Sequence, residues 1–198
     1  MKSESPSFIF VCFSTDNEAY KPMSIIRQYL IFEECKNVKY KEDSVEFNHN
    51  LNKDNNYVHF KFYEILDIDK SNSKCNFADS YLILINLEKV DIFGQIDSIF
   101  NYIQNNGNSD KKIYIIGLYM NANNIKDEYK EENIKEYLEQ QNTNYEYSEV
   151  NFDSTNELIK IIDFISNDTI KTKKNYIKQN NNNNEHDNDQ SGSKCFIF

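Results

Sequence analysis

Phe8-Ile9-Phe10-Val11-Cys12-Phe13 is an unbroken apolar run, the pattern of a strand buried on both faces. A polar loop follows, Ser14-Thr15-Asp16-Asn17-Glu18-Ala19-Tyr20-Lys21. A helix is predicted to begin at Pro22, because a residue without an N–H loses nothing in a first turn whose donors lack partners. Met23, Ile26 and Leu30 give that helix its apolar stripe. Strand, loop and helix in this order is the arrangement in which backbone N–H groups cradle phosphate.

Two further runs, Tyr81 to Ile85 and Ile113 to Ile116, read as buried strands. Between them Ile92, Phe93, Ile96, Ile99, Phe100 and Ile103 keep one helical face, which Gly107 ends. Val45 and Phe47, then Val58, Phe60 and Phe62, alternate with polar neighbours and predict an antiparallel hairpin. Cys35 to Lys41 reads as a polar connection. A charged helix is expected from about Lys126 to Gln140, burying Tyr129, Tyr137 and Leu138. Tyr145 to Val150 is a last strand, and a capping box of Ser154 and Glu157 opens a helix carrying Leu158, Ile161, Ile162 and Ile165. Buried strands alternating with amphipathic helices predict an α/β fold, a mostly parallel six-stranded sheet with helices on both faces.

A length of 198 residues suits one domain with a tail. The expected domain is 1–170. Residues 171–198 form the expected tail, where five consecutive Asn and then acidic, Gly and Ser residues bury too little to fold. The net charge of -10 disfavours a nucleic-acid partner, whose phosphates need a basic face. Cys12, Cys35, Cys75 and Cys195 are not closely spaced, which argues against zinc or disulfides, and no metal site is predicted. No apolar run approaches the roughly 20 residues of a membrane span, so a cytosolic chain is expected.

The layout of residues 7–167 resembles a Ras-like small GTPase of the Ras or Rab branches. Lys21 matches the phosphate-loop lysine, and Tyr40, 19 residues later, falls where the first switch carries its magnesium-binding Thr. Glu42-Asp43-Ser44 looks like the effector-binding stretch. Asp67 resembles the magnesium-linked Asp at a strand end, Gly117 precedes the base-reading motif, and Ser148 matches the first residue of the last nucleotide loop. The resemblance implies nucleotide binding through Lys21, Asp67, Asn121 and Ser148, with GTP or GDP and Mg as cofactors.

The motifs also depart from the family. Thr15 and Tyr20 stand at the phosphate-loop glycines, whose lack of side chains lets backbone N–H groups wrap a phosphate. Pro22 replaces the magnesium-binding hydroxyl, and Asp16 and Glu18 add negative charge. Lys70 and Ser71 stand where a Gly and the water-orienting Gln belong. Asn-Lys-x-Asp becomes Leu118-Tyr119-Met120-Asn121, and Asn121 offers one acceptor oxygen where Asp offers two. No catalytic residue is assigned.

The chain ends Cys195-Phe196-Ile197-Phe198, which fits the C-a-a-X signal for a geranylgeranyl or farnesyl group on Cys195. The leading expectation is a prenylated, membrane-tethered member of the Ras superfamily on a cytosolic membrane face. It acts as a binding module in signalling or vesicle traffic, with GTP hydrolysis lost. The alternatives are an active GTP switch with atypical loops, and an α/β interaction domain unrelated to GTPases.

Overall fold

The computed structural model describes residues 7–16, 19–33, 35–50, 57–68, 73–141 and 143–188, with side chains described as far as residue 173. The elements are β1 (Ser7–Ser14), α1 (Pro22–Phe32), β2 (Cys35–Tyr40), β3 (Ser44–His49), β4 (Val58–Glu64), β5 (Ser80–Asn86), α2 (Ile92–Asn106), β6 (Ile113–Tyr119), α3 (Glu131–Gln140), β7 (Tyr145–Asn151) and α4 (Thr155–Asn188). Short 3₁₀ turns occupy Ser73–Phe77, Ala122–Asn124 and Asp127–Tyr129.

The strands form one seven-stranded sheet in the order β2-β3-β4-β1-β5-β6-β7. Only β3 runs against the others, pairing antiparallel with β2 and β4. The three apolar runs are the parallel interior strands β1, β5 and β6, as expected. This is an α/β fold with a mostly parallel sheet, broadly compatible with a P-loop-like architecture.

The alternation of side chains along each strand divides the core into two layers. Phe8, Phe10 and Cys12 of β1 face α1 and α4, together with Phe47, Phe60 and Phe62. Val11 and Phe13 face the opposite way, toward Ile96, Ile99 and Ile103 of α2 and Ile134 and Leu138 of α3. Under α1 the rings of Phe10 and Phe62 stack at 4.6 Å, and Phe47 lies 5.8 Å from Phe62.

Three expectations are corrected. The sheet has seven strands rather than six, because Cys35 to Tyr40 is the edge strand β2 and not a connection. An edge strand needs only one partner and little burial, so its polar sequence hides it; Asn37, at φ 55°, marks a break in its register. The charged helix begins at Glu131 rather than Lys126, with a 3₁₀ turn ahead of it. The capping box is not reciprocal: the Glu157 carboxylate accepts from the Asn151 N–H at 3.3 Å. The backbone of α4 is helical to Asn188, past residue 171 where the tail is expected to begin. Extending an existing helix needs no new nucleus, so weak helix formers can follow a packed segment. Residues 189–198, Cys195 among them, lie outside the described residues.

Candidate functional site

The connection leaving β1 leads through α1 toward β2, β3 and β4, while the one leaving β5 leads through α2 toward β6. Neighbouring strands whose connections diverge leave a crevice beyond their C-terminal ends, the usual ligand position in open α/β sheets. Here that crevice lies between Ser14 and Asn86.

The chain's own side chains occupy it. Asp16, 8% exposed, accepts at Oδ2 from the Asn86 amide at 2.8 Å and at Oδ1 from the Ala19 N–H at 3.1 Å. Lys89 Nζ lies 3.5 Å from the same carboxylate. The Asp16 N–H donates to Ser14 Oγ, and the Asn86 N–H donates to Thr15 Oγ1. Among the described residues of the β1–α1 loop, the N–H groups of Thr15, Asp16, Ala19 and Tyr20 are thus spent on internal oxygens.

The start of α1 is treated the same way. Pro22 holds the first helical position, and the Met23 N–H donates to Glu64 Oε1 at 3.3 Å. A carboxylate at a helix N-terminus meets the positive end of the helix dipole, so Glu64 takes the place an external anion would favour. Burial pushes its pKa up, Asp43 adds to the rise, and the Met23 N–H, Lys21 and Arg27 oppose it.

Tyr20 ends the same loop. Its ring is buried and packs 4.8 Å from Phe152, in the loop after β7. Burial and the carboxylates of Glu88, Asp16 and Asp153 push its hydroxyl up to about 12. Three acidic groups thus act on one phenol at this end of the sheet, with Lys89 beside one of them.

The predicted nucleotide residues stand on four separate segments. Lys21 is exposed at the N-cap of α1 and makes no capping bond with its side chain. Asp67 is exposed in the loop after β4. Asn121 is exposed, and its side-chain oxygen accepts from the Asn123 N–H at 3.0 Å, closing a turn. Ser148 pairs with Ile116 within β7 and so lies in a strand, not in the expected loop. Leu118 is core. A Cβ on Gly117 would lie 2.7 Å from Tyr147 Oη and 2.9 Å from Leu87, so packing is reason enough for that glycine.

The turn after β6 is held by Glu88, which accepts from the Met120 N–H at 3.1 Å, the Asn121 N–H at 3.3 Å and the Asn124 amide at 2.8 Å. Burial alone would raise the Glu88 pKa; these donors hold it below the usual value. In the proposed effector stretch, Glu42 is exposed, Asp43 pairs with Lys74, and Ser44 is buried at the start of β3. Lys70 and Ser71 lie outside the described residues. Among the described residues no cluster suited to a metal ion occurs, and no helix is long and apolar enough to cross a membrane.

Sequence reasoning missed Glu64, Asn86 and Glu88. Glu64 was within reach, because the alternation Phe60, Phe62, Glu64 aims a carboxylate into the core. Asn86 and Glu88 carry no local signal, since their partners are 70 and about 30 residues away. No protein-family model matches the chain, and no curated protein matches it.

Proposed function

We propose that this chain is a divergent, Ras/Rab-like member of the small-GTPase class. In this reading it is a binding module in signalling or vesicle traffic that no longer hydrolyses GTP. The observation that carries the reading is the filling of the crevice by Asp16 and Glu64. Their carboxylates accept from Ala19, Asn86 and Met23, the kind of donors a phosphate would need. Phosphoryl transfer depends on positioned donors, a lysine, magnesium and an aligned water. Two internal carboxylates in place of the phosphates remove the donors and repel the substrate. The strand–loop–helix order and the mostly parallel sheet support the family part of the reading.

Cys195 is proposed as the site of a geranylgeranyl or farnesyl group that holds the protein on a cytosolic membrane face. Protein effectors are proposed to meet Glu42 and the exposed edge strand β2, since Asp43 is engaged by Lys74 and Ser44 is buried. Calorimetric titration of nucleotide-free protein with GTP and with GDP, each with Mg, tests the reading. No submicromolar binding is expected. Submicromolar binding that weakens in Lys21→Ala would instead establish the active-switch alternative.

A further inference from the structure

Opposite the crevice, a second group of side chains gathers where β2 begins and β3 ends. Cys35 and His49 face each other across the β2–β3 ladder. Cys35 Sγ lies 3.4 Å from His49 Nδ1. On the far side of the ring, His49 Nε2 lies 3.9 Å from Asp163 Oδ1 of α4. The Tyr29 hydroxyl of α1 donates to that same oxygen at 2.7 Å, which fixes the carboxylate. The Tyr29 ring also packs edge-on against His49 at 5.8 Å. His49 pairs with Val58, at the opposite end of β4 from Glu64, roughly 20 Å from the crevice at about 3.3 Å per strand residue.

We propose that Cys35, His49 and Asp163 form a nucleophilic thiol site that accepts an acyl group from an acyl thioester. The geometry assigns each group a role. With its proton on Nε2, facing Asp163, the imidazole presents a bare Nδ1 to the thiol, and Asp163 favours the imidazolium formed when the proton moves. His49 Nδ1 takes the Sγ proton as sulfur attacks the thioester carbonyl carbon. The tetrahedral adduct then collapses, the bond from carbon to the departing sulfur breaks, and that thiolate takes the proton from His49. Thiol and thioester become thioester and thiol, with no change of oxidation state.

Three features favour this over an inert strand-end pair. Two strands, α1 and α4 each supply a member, so backbone and packing hold the constellation rather than a loop. Cys35 is half-exposed, whereas Cys12 and Cys75 are buried. The segment Cys35 to Lys41 carries Lys36 and Lys39, beside Lys41 that is paired with Glu46 at 3.3 Å, which suits an anionic carrier such as coenzyme A, and exposed Ile31 and Phe32 precede it. The charged and titratable groups facing the pair are Glu33 before β2, Asp163 on α4 and Tyr29 on α1. Burial, then Glu33 and Asp163, push the thiol up to about 12. The resting group is therefore a thiol, and reactivity near neutral pH depends on His49 as base.

The test uses the full chain with octanoyl-coenzyme A, mapping adducts by mass spectrometry. Iodoacetamide labelling is followed from pH 5 to 11 as a second readout. Cys35 is expected to acylate well ahead of Cys12 and Cys75. Its iodoacetamide labelling should likewise run ahead of theirs at neutral pH. His49→Gln should slow both reactions about 100-fold, the low end for a positioned base. Asp163→Asn, on the surface of α4, should slow them less and leave the fold intact, so it decides the matter if His49→Gln is unstable. Acylation of Cys35 no faster than of Cys12, or unchanged in Asp163→Asn, overturns the proposal. The outcome is independent of nucleotide binding at the crevice.

Discussion

The Asp16 carboxylate accepts a 2.8 Å hydrogen bond from the Asn86 amide, joining the ends of the neighbouring parallel strands β1 and β5. The bond is buried, and the same carboxylate also takes the Ala19 N–H. A negative charge in this position makes a ligand of the same sign redundant. At this end of the sheet Asp16 and Asn86 satisfy one another.

Asp16→Ala should therefore destabilise the protein. It leaves the buried Asn86 amide without its acceptor, and frees the N–H of the exposed Ala19. Losing hydrogen bonds to a charged group costs about 1.5–3 kcal/mol. Urea unfolding is expected to show a lower midpoint with an unchanged slope. A midpoint equal to that of the parent would mean that water replaces the carboxylate without loss.

Glu64 gives a pH signature of the opposite kind to most carboxylates. Its folded-state pKa lies above the ordinary 4.5, chiefly through burial. Between the unfolded and folded values the native state binds more protons, so stability falls as pH rises through that window. Glu64→Gln keeps an oxygen for the Met23 N–H and removes the charge. It is expected to raise stability at pH 7, with the gain shrinking as pH falls toward 4.5. A loss of stability at pH 7 would show that the charge at the α1 N-terminus outweighs its burial.

How much of this was legible in the sequence depends on where the determining contacts lie. The runs through Phe10, Ile83 and Ile115 announced the central strands because a strand buried on both faces must be apolar throughout. The stripe of Ile92, Ile96, Ile99 and Ile103 announced α2 for a similar reason. β2 was lost because an edge strand escapes that demand, so Lys36 and Lys39 read as loop. Lys21 and Asp67 were chosen by resemblance to a spacing, and neither belongs to the buried network of Asp16 and Asn86. That network joins residues 70 apart, so no local pattern encodes it. Cys35 and His49 lay too far apart in the chain to suggest a pair until β2 existed to align them.

Asp168 sets the acid limit from the other side. Burial would raise its pKa, but hydrogen bonds from Lys112 at 2.7 Å and the Tyr114 hydroxyl at 2.8 Å hold it below the ordinary 3.8. A depressed carboxylate contributes stability above its unfolded pKa and loses it as pH falls through the folded value. Asp168→Asn should cost about 1.5 kcal/mol at pH 7, the low end for a bond to a charged group in a partly exposed setting. The difference between variant and parent should shrink as pH falls below the ordinary 3.8 and through the lowered folded value. Thermal melts at pH 7 and pH 2.5 test both statements, and an equal cost at the two values would assign the effect to shape rather than charge.

Attachment to membranes, if Cys195 carries a prenyl group, should be reversible and sensitive to salt. One lipid chain gives only marginal binding, so a second signal decides how much protein stays on the bilayer. The sequence offers Lys171, Lys173, Lys174 and Lys178 as a basic patch, at about 1 kcal/mol for each charge near an anionic surface. Lys173 is already engaged, with its Nζ 2.8 Å from Asp79 Oδ1 and 3.1 Å from the Ser7 carbonyl. Lys171 is exposed, and the acidic residues Glu185, Asp187 and Asp189 oppose the patch. The electrostatic share is thus smaller than the count of lysines suggests. In cell fractionation, Cys195→Ser should move the protein from membranes to the soluble pool. Lys171→Glu should lower the bound fraction severalfold at low salt and change it little at high salt. A Cys195→Ser protein as membrane-bound as the parent would rule out the lipid and leave the basic patch and the effector edge around β2 as routes to a surface.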